Sequence, residues 1–118
     1  MNQLELEKYC LQKKGVSKEY PFDEITAVYK VANKMFVLCR DDSSKDMAIS
    51  VKCEPLYALE LRSLFESINA GYHMNKKHWN TLTCNKEVPE SLIYELIDDS
   101  YTLIVHSLSK KIQASILV

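Results

Sequence analysis

The chain has little glycine and proline, two and three residues among 118, and it has no long hydrophobic run. The two glycines, Gly15 and Gly71, are too far apart to form a phosphate-binding loop, which needs several glycines close together. No apolar run approaches the roughly 18 residues of a membrane-spanning helix. The first residues also lack the basic and apolar regions of a signal peptide. We therefore expect a cytoplasmic protein that does not insert into a membrane.

The chemistry of common active sites is also missing. The four cysteines are Cys10, Cys39, Cys53 and Cys84. Their spacing contains no Cys-x-x-Cys pair, as zinc ribbons and thioredoxin-like sites require, so we expect small buried hydrophobic side chains. His73 and His78 are five positions apart with no acid or cysteine between them, which disfavours a metal-binding pair. Because no nucleophile motif is visible either, the sequence predicts no metal, no cofactor and no enzymatic activity.

What is present is the composition of one ordinary globular domain, spanning residues 1–118, with 47% apolar and 26% charged residues. A net charge of −1 argues against a protein that coats nucleic acid by its overall charge. The charges are nevertheless unevenly distributed. Residues 69–86 contain three lysines and no acid, whereas residues 87–99 contain five acids and no base. Any site for an anion must therefore be local.

Hydrophobic periodicity predicts seven elements in the order α-β-β-β-α-β-α. The predicted strands are residues 26–31, 34–40, 47–52 and 78–84. The predicted helices are residues 2–14 and two segments that begin at Glu54-Pro55 and Pro89-Glu90, where proline favours a helix start. Residues 15–24 are predicted to be a loop and residues 109–111 a short basic turn. The fold class is α+β, a two-layer sandwich whose antiparallel sheet has helices packed mainly on one face.

Alternation along the first three strands predicts one apolar face and one mixed face. On the mixed face, the apolar residues are Val28, Phe36 and Leu38. Four basic side chains frame them: Lys30, Lys34, Arg40 and Lys52. Such a face could either contact an anion or, through its apolar patch, accept a protein partner.

Residues 71–81 hold the densest chemistry, reading Gly-Tyr-His-Met-Asn-Lys-Lys-His-Trp-Asn-Thr. Lys76 and Lys77 can neutralise phosphates, and Trp79, the only tryptophan, can stack on a base. Asn75 and Asn80 can donate and accept amide hydrogen bonds. The alternative is structural, with Trp79 in the core and the polar side chains bracing a loop.

At this point the residues resemble the MmcQ/YjbR family of small bacterial proteins over nearly the whole chain. The matching landmarks are Tyr20-Pro-Phe22, Lys34-Met-Phe36, the Ser-Val-Lys-Cys-Glu-Pro run at 50–55, residues 71–81, and Asp99-Ser-Tyr101 followed by Lys110-Lys111. The resemblance implies a CyaY-like α+β domain, which agrees with the predicted order. It also implies a non-enzymatic role in DNA binding through a double wing of strands and loops.

The resemblance also implies which residues contact DNA. Carried over position by position, they are Lys52, His73, Asn75, Lys76, Lys77, His78, Trp79 and Asn80. Secondary basic candidates are Lys30, Lys34, Arg40, Lys110 and Lys111. The chain departs from the family pattern at Asp23, Asn33 and Ser109, where glycine, glycine and proline are common. The first two are turn substitutions, Ser109 can cap the final turn, and all three leave the fold intact.

Three functions follow as hypotheses. The first is a DNA-binding module that contacts phosphates, with the oligomeric state left open and a monomer favoured over a dimer. The second is a protein-interaction or adaptor module that uses the apolar patch of the mixed face. The third is a small-ligand pocket around His73, His78 and Trp79. A contiguous basic surface that joins Lys52, Lys76 and Lys77 would favour DNA, and scattered lysines would favour an adaptor.

Overall fold

A computed structural model describes residues 1–40, 46–71 and 74–117 of the chain. Its elements in chain order are α1 (Gln3–Leu11), β1 (Val16–Glu19), β2 (Thr26–Val31), β3 (Lys34–Arg40), β4 (Ala48–Lys52), α2 (Pro55–Leu64), β5 (Ile68–Ala70), β6 (Trp79–Thr83), α3 (Glu90–His106) and α4 (Lys110–Leu117). The strands form one sheet in the order β1-β2-β3-β4-β6-β5, and every neighbouring pair is antiparallel. The predicted α+β class is confirmed.

The four helices pack on the same face of the sheet, as predicted. One contact for each helix shows this: Glu7 of α1 with Lys18, Ala58 of α2 with Asn80, Tyr101 of α3 with Phe36, and Ile116 of α4 beside Val31 and Gly15. The hydrophobic core lies between this face and the helices. The opposite face, which we call the open face, has no helix packed on it within the described residues. None of the helices in the described ranges is long and apolar enough to cross a bilayer.

Helix starts follow from local capping. The Asn2 side chain accepts a hydrogen bond of 2.8 Å from the Glu5 N–H at the start of α1. At α2 the Glu54 carboxylate accepts from the N–H groups of Leu56 and Tyr57, at 3.1 and 3.0 Å. Each cap satisfies backbone donors that the first helical turn leaves without an intrahelical partner. The predicted boundary at Glu54-Pro55 is thus correct.

Three elements are missing from the predicted order. β1 lies in the predicted loop, β5 was not predicted, and α4 replaces the predicted turn at residues 109–111. β1 is a polar edge strand whose residues pair only with β2, and β5 has three residues, so neither leaves a hydrophobic period to detect. The helix α4 did leave one, because Ile112 and Ile116 are four residues apart.

The alternation predicted for β3 is wrong at its start. Register shifts between Tyr29 and Lys30 of β2, so that Phe36 is an extra residue in β3. A bulge of this kind puts two successive side chains on one side and reverses the alternation beyond it. Phe36 is therefore fully buried on the helix side, 5.4 Å from the ring of Tyr101, and Met35 takes its place on the open face. Lys34, at the hairpin tip, is also on the helix side.

The bulge leaves a gap in the β3–β4 hydrogen bonding that Ser100 of α3 fills. Its hydroxyl donates to the Phe36 carbonyl at 2.5 Å and accepts from the Lys52 N–H at 2.9 Å. Ser100 is completely buried. One helical hydroxyl thus replaces a ladder bond and fixes the end of β4, where Lys52 lies.

The cysteines confirm the prediction of buried hydrophobic side chains. Cys10, Cys39 and Cys53 are buried, Cys84 is partly buried, and none of these four described residues forms a disulfide. Burial raises the pKa of Cys10 to about 12 and that of Cys53 to about 11. At neutral pH these two thiols are protonated and therefore poor nucleophiles.

Candidate nucleic-acid interface

The antiparallel topology gathers lysines at one end of the sheet. Where β2 and β4 end, β3 and β6 begin, because neighbouring strands run in opposite directions. The lysines at or next to these strand ends are Lys30, Lys34, Lys52, Lys76 and Lys77. We call this group the basic end. These lysines come from separate segments of the chain, so the register of the sheet is what brings them to one end.

The opposite end of the sheet, the acidic end, gathers carboxylates. Its acids are Glu19, Asp23, Glu24, Asp46, Glu66 and Glu87. Arg40, at the end of β3, and Lys86, after β6, also lie at this end. Although the net charge is only −1, positive and negative charges are concentrated at opposite ends of the strands. Arg40, a secondary candidate, is separated from the other basic candidates by the length of the sheet.

Most ammonium groups of the basic end are available to a ligand. Lys34, Lys76 and Lys77 are exposed and Lys52 is half-buried. None of these four has an ion-pair partner among residues 1–40, 46–71 and 74–117. Lys30 differs, because its ammonium group is 2.8 Å from the Glu19 carboxylate. Lys30 is therefore a weaker candidate than the others.

Three acids near the basic end, Glu54, Asp98 and Asp99, belong to the helix layer, and the first two are already engaged. The Glu54 carboxylate caps α2. The Asp98 carboxylate lies 2.5 Å from the Lys13 ammonium group and accepts a hydrogen bond of 2.7 Å from the Tyr9 hydroxyl. Because these carboxylates lie on the helix side of the sheet, they do not neutralise the lysines on the open side.

Asn75 shapes the turn that carries two of the lysines. Its side-chain oxygen accepts from the Lys77 N–H at 2.9 Å. Its carbonyl accepts from the N–H groups of His78 and Trp79, at 3.2 and 2.9 Å. Asn75 therefore braces the turn, and the bracing leaves Lys76 and Lys77 exposed before β6 begins.

Arg62 of α2 anchors the same turn from the helix side. Its Nε donates to the Asn80 side-chain oxygen at 2.6 Å, and a second guanidinium nitrogen donates to the Lys76 carbonyl. The Asn80 amide also donates to the Ala58 carbonyl at 3.2 Å, and Asn80 is completely buried. This corrects the assignment of Asn80 as a DNA contact, because its amide is used within the core. The sequence did not identify Arg62 as part of the site. The one signal was that Arg62 lies four residues after Ala58, a spacing that puts both residues on the same face of the helix.

Trp79 lies on the open face, opposite the core. Its neighbours Asn80 and Leu82 point to the core, so the alternation of β6 directs the indole the other way. Trp79 is half-buried and is the cross-strand partner of Lys52. Gly71 makes room for it, because a Cβ at Gly71 would lie 2.8 Å from the Trp79 Cβ. The alternative that Trp79 belongs to the core is therefore wrong.

The remaining candidates have mixed positions. His78 is half-buried, and its carbonyl accepts from the Cys53 N–H at 2.7 Å, which extends the β4–β6 pairing. His73 lies outside the described residues, so the small-ligand hypothesis that includes it stays a prediction.

A pocket of about 190 Å³ lies between α2 and α3, on the helix side of the sheet. It is lined by Cys53, Glu54, Tyr57, Asp99, Thr102 and Leu103.

Lys110 and Lys111 are exposed in the first turn of α4. This helix packs at the edge of the basic end. The Ile116 side chain would lie 3.3 Å from a Cβ at Gly15, directly before β1. The first residue of β1, Val16, pairs with Val31, the last residue of β2. The last turn of α4 therefore lies beside β1 at the edge of the basic end, and the lysine pair lies about one and a half turns earlier in the same helix.

The apolar patch predicted for an adaptor function is not exposed. Val28 and Phe36 are completely buried and Leu38 is half-buried. The bulge explains Phe36, and Val28 lies between its cross-strand neighbours Glu19 and Leu38. Exposed leucines occur instead on the outer face of α2, at Leu56, Leu59 and Leu64.

Comparisons with known proteins agree with this architecture. The YjbR family model matches residues 11–103. The chain is 36% identical over 94 residues to the uncharacterized protein YbdF of Escherichia coli O157:H7, covering 80% of this chain and 76% of that one. It is 31% identical over 107 residues to the uncharacterized protein YjbR of Escherichia coli K12, covering 91% and 90%. The crystal structure of Deinococcus radiodurans DR2400 superposes with a TM-score of 0.90 at 32% identity, over 96% of this chain and 86% of that one. The chain belongs to the YjbR family.

Proposed function

We propose that this protein is a non-enzymatic DNA-binding module whose basic end contacts phosphates. The observation that supports this most is the convergence of Lys34, Lys52, Lys76 and Lys77 at one end of the sheet, without ion-pair partners among the described residues. Holding like charges together costs free energy unless an anion neutralises them. A polyanion repays that cost through counterion release.

Local rather than overall charge governs the interaction. Each phosphate neutralised by a lysine contributes about −0.9 to the slope of log K against log salt concentration. Contacts from Lys34, Lys52, Lys76 and Lys77 therefore give a slope of about −3 to −4. Contacts of this kind carry no sequence information, so the proposed binding has little sequence preference.

The test measures the fluorescence anisotropy of a labelled duplex at about 50 mM salt and micromolar protein, the range of non-specific affinity. The test variant is Lys76→Glu with Lys77→Glu at the basic end. The matched control is Arg40→Glu with Lys86→Glu, which changes the net charge equally at the acidic end. We expect the test variant to lose more than about tenfold in affinity and the control to retain near wild-type binding.

Two results would contradict the proposal. Absence of duplex binding by the wild-type protein under these conditions would refute it directly. Equal weakening in the test and control variants would show that the overall charge, not the basic end, governs the interaction. Circular dichroism of each variant checks that all four exposed substitutions leave the fold intact.

A further inference from the structure

The open face of the sheet has a charge pattern suited to a polyanion. In the described strands, Glu19 is the only acid whose side chain lies on this face, and it is paired with Lys30. The central strands β3, β4 and β6 present no acid there. Their open-face residues are Met35, Leu38, Arg40, Ala48, Ser50, Lys52, Trp79, Thr81 and Thr83.

An aromatic ring and an ammonium group lie side by side on this face. Trp79 and Lys52 are direct cross-strand partners, which places their Cβ atoms about 5 Å apart. The next cross-strand pair, Ser50 and Thr81, joins its hydroxyls at 2.8 Å. Leu38 on β3 pairs with Ser50 and continues the row. These two adjacent rows thus offer a stacking surface and a cation on β4 and β6, and hydroxyl groups next to them.

We propose that this open face binds single-stranded DNA, with a base stacked on Trp79 and the adjoining phosphates on Lys52, Lys76 and Lys77. This inference rests on the proposed function and narrows it. In a duplex the bases are stacked on one another, so a side chain on a flat sheet cannot reach their faces. In a single strand they are free to stack on an aromatic ring, and such stacking tolerates any sequence.

The chain provides its own probe, because Trp79 is the only tryptophan. Stacking with a nucleobase quenches indole fluorescence. We therefore compare three ligands of about 12 nucleotides, within the site size of single-strand binders: a thymine strand, an abasic strand with the same phosphates, and a duplex. We expect the thymine strand to quench Trp79 and bind most tightly, while the other two bind through phosphates without quenching.

Variants at Trp79 separate stacking from charge. Trp79→Leu removes the aromatic ring and should weaken binding of the thymine strand by about 5- to 100-fold, the usual effect of losing one stacked base. Its affinity for the duplex should be unchanged. Trp79→Phe keeps an aromatic face and should restore most of the lost affinity. Anisotropy with labelled ligands measures both variants, and thermal melting checks their folding.

The outcomes distinguish this inference from the proposed function. Equal affinity for the thymine and abasic strands, or no quenching, overturns the single-strand inference, while duplex binding lets the proposed function stand. Failure of every ligand to bind overturns both. A uridine RNA strand that binds much more tightly than the thymine strand overturns the assignment to DNA. Loss of strand and duplex binding together in Trp79→Leu, with the fold intact, also contradicts a stacking role.

Discussion

The two ends of the sheet use their charges differently. At the acidic end, the Asp23 carboxylate accepts from the N–H groups of Ile25 and Thr26, at 2.9 and 2.6 Å. The Glu87 carboxylate accepts from the N–H groups of Glu66 and Ser67, at 3.2 and 2.7 Å. At the basic end, four lysines have no ion-pair partner in the described ranges. The acids stabilise turns, whereas the lysines remain available to a ligand.

The difference follows from side-chain chemistry. A carboxylate on a short stem can reach the unpaired N–H groups of its own turn and satisfy them. An ammonium group has only donors and a long flexible stem, so it contributes little to a turn and extends into solvent. Asp23 illustrates the first case, since its carboxylate accepts from two N–H groups of its own turn. The carboxylates of the acidic end therefore brace turns, and the lysines of the basic end are the ones that we propose contact phosphates.

Salt should produce the largest difference between the two ends. Raising the salt concentration from about 50 to 200 mM should lower duplex affinity about 100-fold, given a slope of −3 to −4. Lys76→Gln with Lys77→Gln should reduce the slope by about 2. Arg40→Gln with Lys86→Gln should leave it unchanged. Anisotropy titrations at several salt concentrations measure the slopes, and equal slopes for both variants would remove the distinction between the ends.

Ser100 tests whether the core holds the basic end in place. Ser100→Ala leaves the Lys52 N–H and the Phe36 carbonyl without their partner in the interior. Each unsatisfied buried group costs about 1–3 kcal/mol, so we expect the two groups together to lower the free energy of unfolding by about 2–6 kcal/mol. Urea denaturation measures it. A loss below about 0.5 kcal/mol would show that the hydroxyl is not needed to close the sheet at this point.

Arg62 tests the anchoring of the lysine turn. Arg62→Met keeps the aliphatic stem but leaves the Asn80 side-chain oxygen unsatisfied in the core. We expect a destabilisation of about 1–3 kcal/mol and faster amide hydrogen exchange at residues 76–78. Arg62→Lys keeps the positive charge but lacks the two guanidinium donors, so we expect it to be destabilised about as much as Arg62→Met. If Arg62→Lys matched the wild type, charge alone would explain the anchoring.

The response to acid should be the smallest effect, and the stability lost on acidification should come from the acidic end. Asp99 acts in the opposite sense, because burial raises its pKa. Hydrogen bonds from the backbone of Ile25 and Thr26 lower the pKa of Asp23, and those from Ser67 lower the pKa of Glu87. Their contribution to stability is therefore complete above the ordinary pKa values of these groups, and it is lost as pH falls through the lowered folded-state values.

Thermal melting between about pH 5 and pH 2 measures this acid response. Asp23→Asn with Glu87→Gln should show a shallower loss of stability than the wild type over that range. Lys76→Gln with Lys77→Gln serves as the control, because lysines stay protonated throughout, and its profile should run parallel to the wild type. A parallel profile for the carboxylate variant would mean that these hydrogen bonds do not persist in solution.

Local patterns predicted much of the fold. Strict alternation identified β2 and β4, the Glu54-Pro55 start of α2 was correct, and Asn33 adopts the positive φ of 65° expected for a tight hairpin turn. Ala32 beside it also has a positive φ of 49°, which its residue type did not suggest. Prediction failed where pairing with another strand sets the structure. β1 is polar and becomes a strand only because β2 lies beside it.

The candidate site was harder to predict than the fold. The sequence singled out residues 71–81 but could not separate contacts from braces. Asn75 and Asn80 look alike in the sequence. Asn75, however, braces a turn through its side-chain oxygen and its carbonyl, whereas Asn80 is buried against Arg62 and Ala58. Burial depends on what packs above a residue, and that neighbour here comes from a distant helix.

By itself the sequence determined the types of seven of the ten elements, the family, and the concentration of lysine and tryptophan in residues 71–81, because these depend on local periodicity and residue identity. Tertiary structure alone decided which charges share an end. The antiparallel register brought Lys52 beside Trp79 and moved Arg40 to the opposite end of the sheet. One extra residue in β3 then buried Phe36 and removed the predicted apolar patch. Strand pairing acts over long sequence separations, so no local pattern can reveal which side chains it brings together.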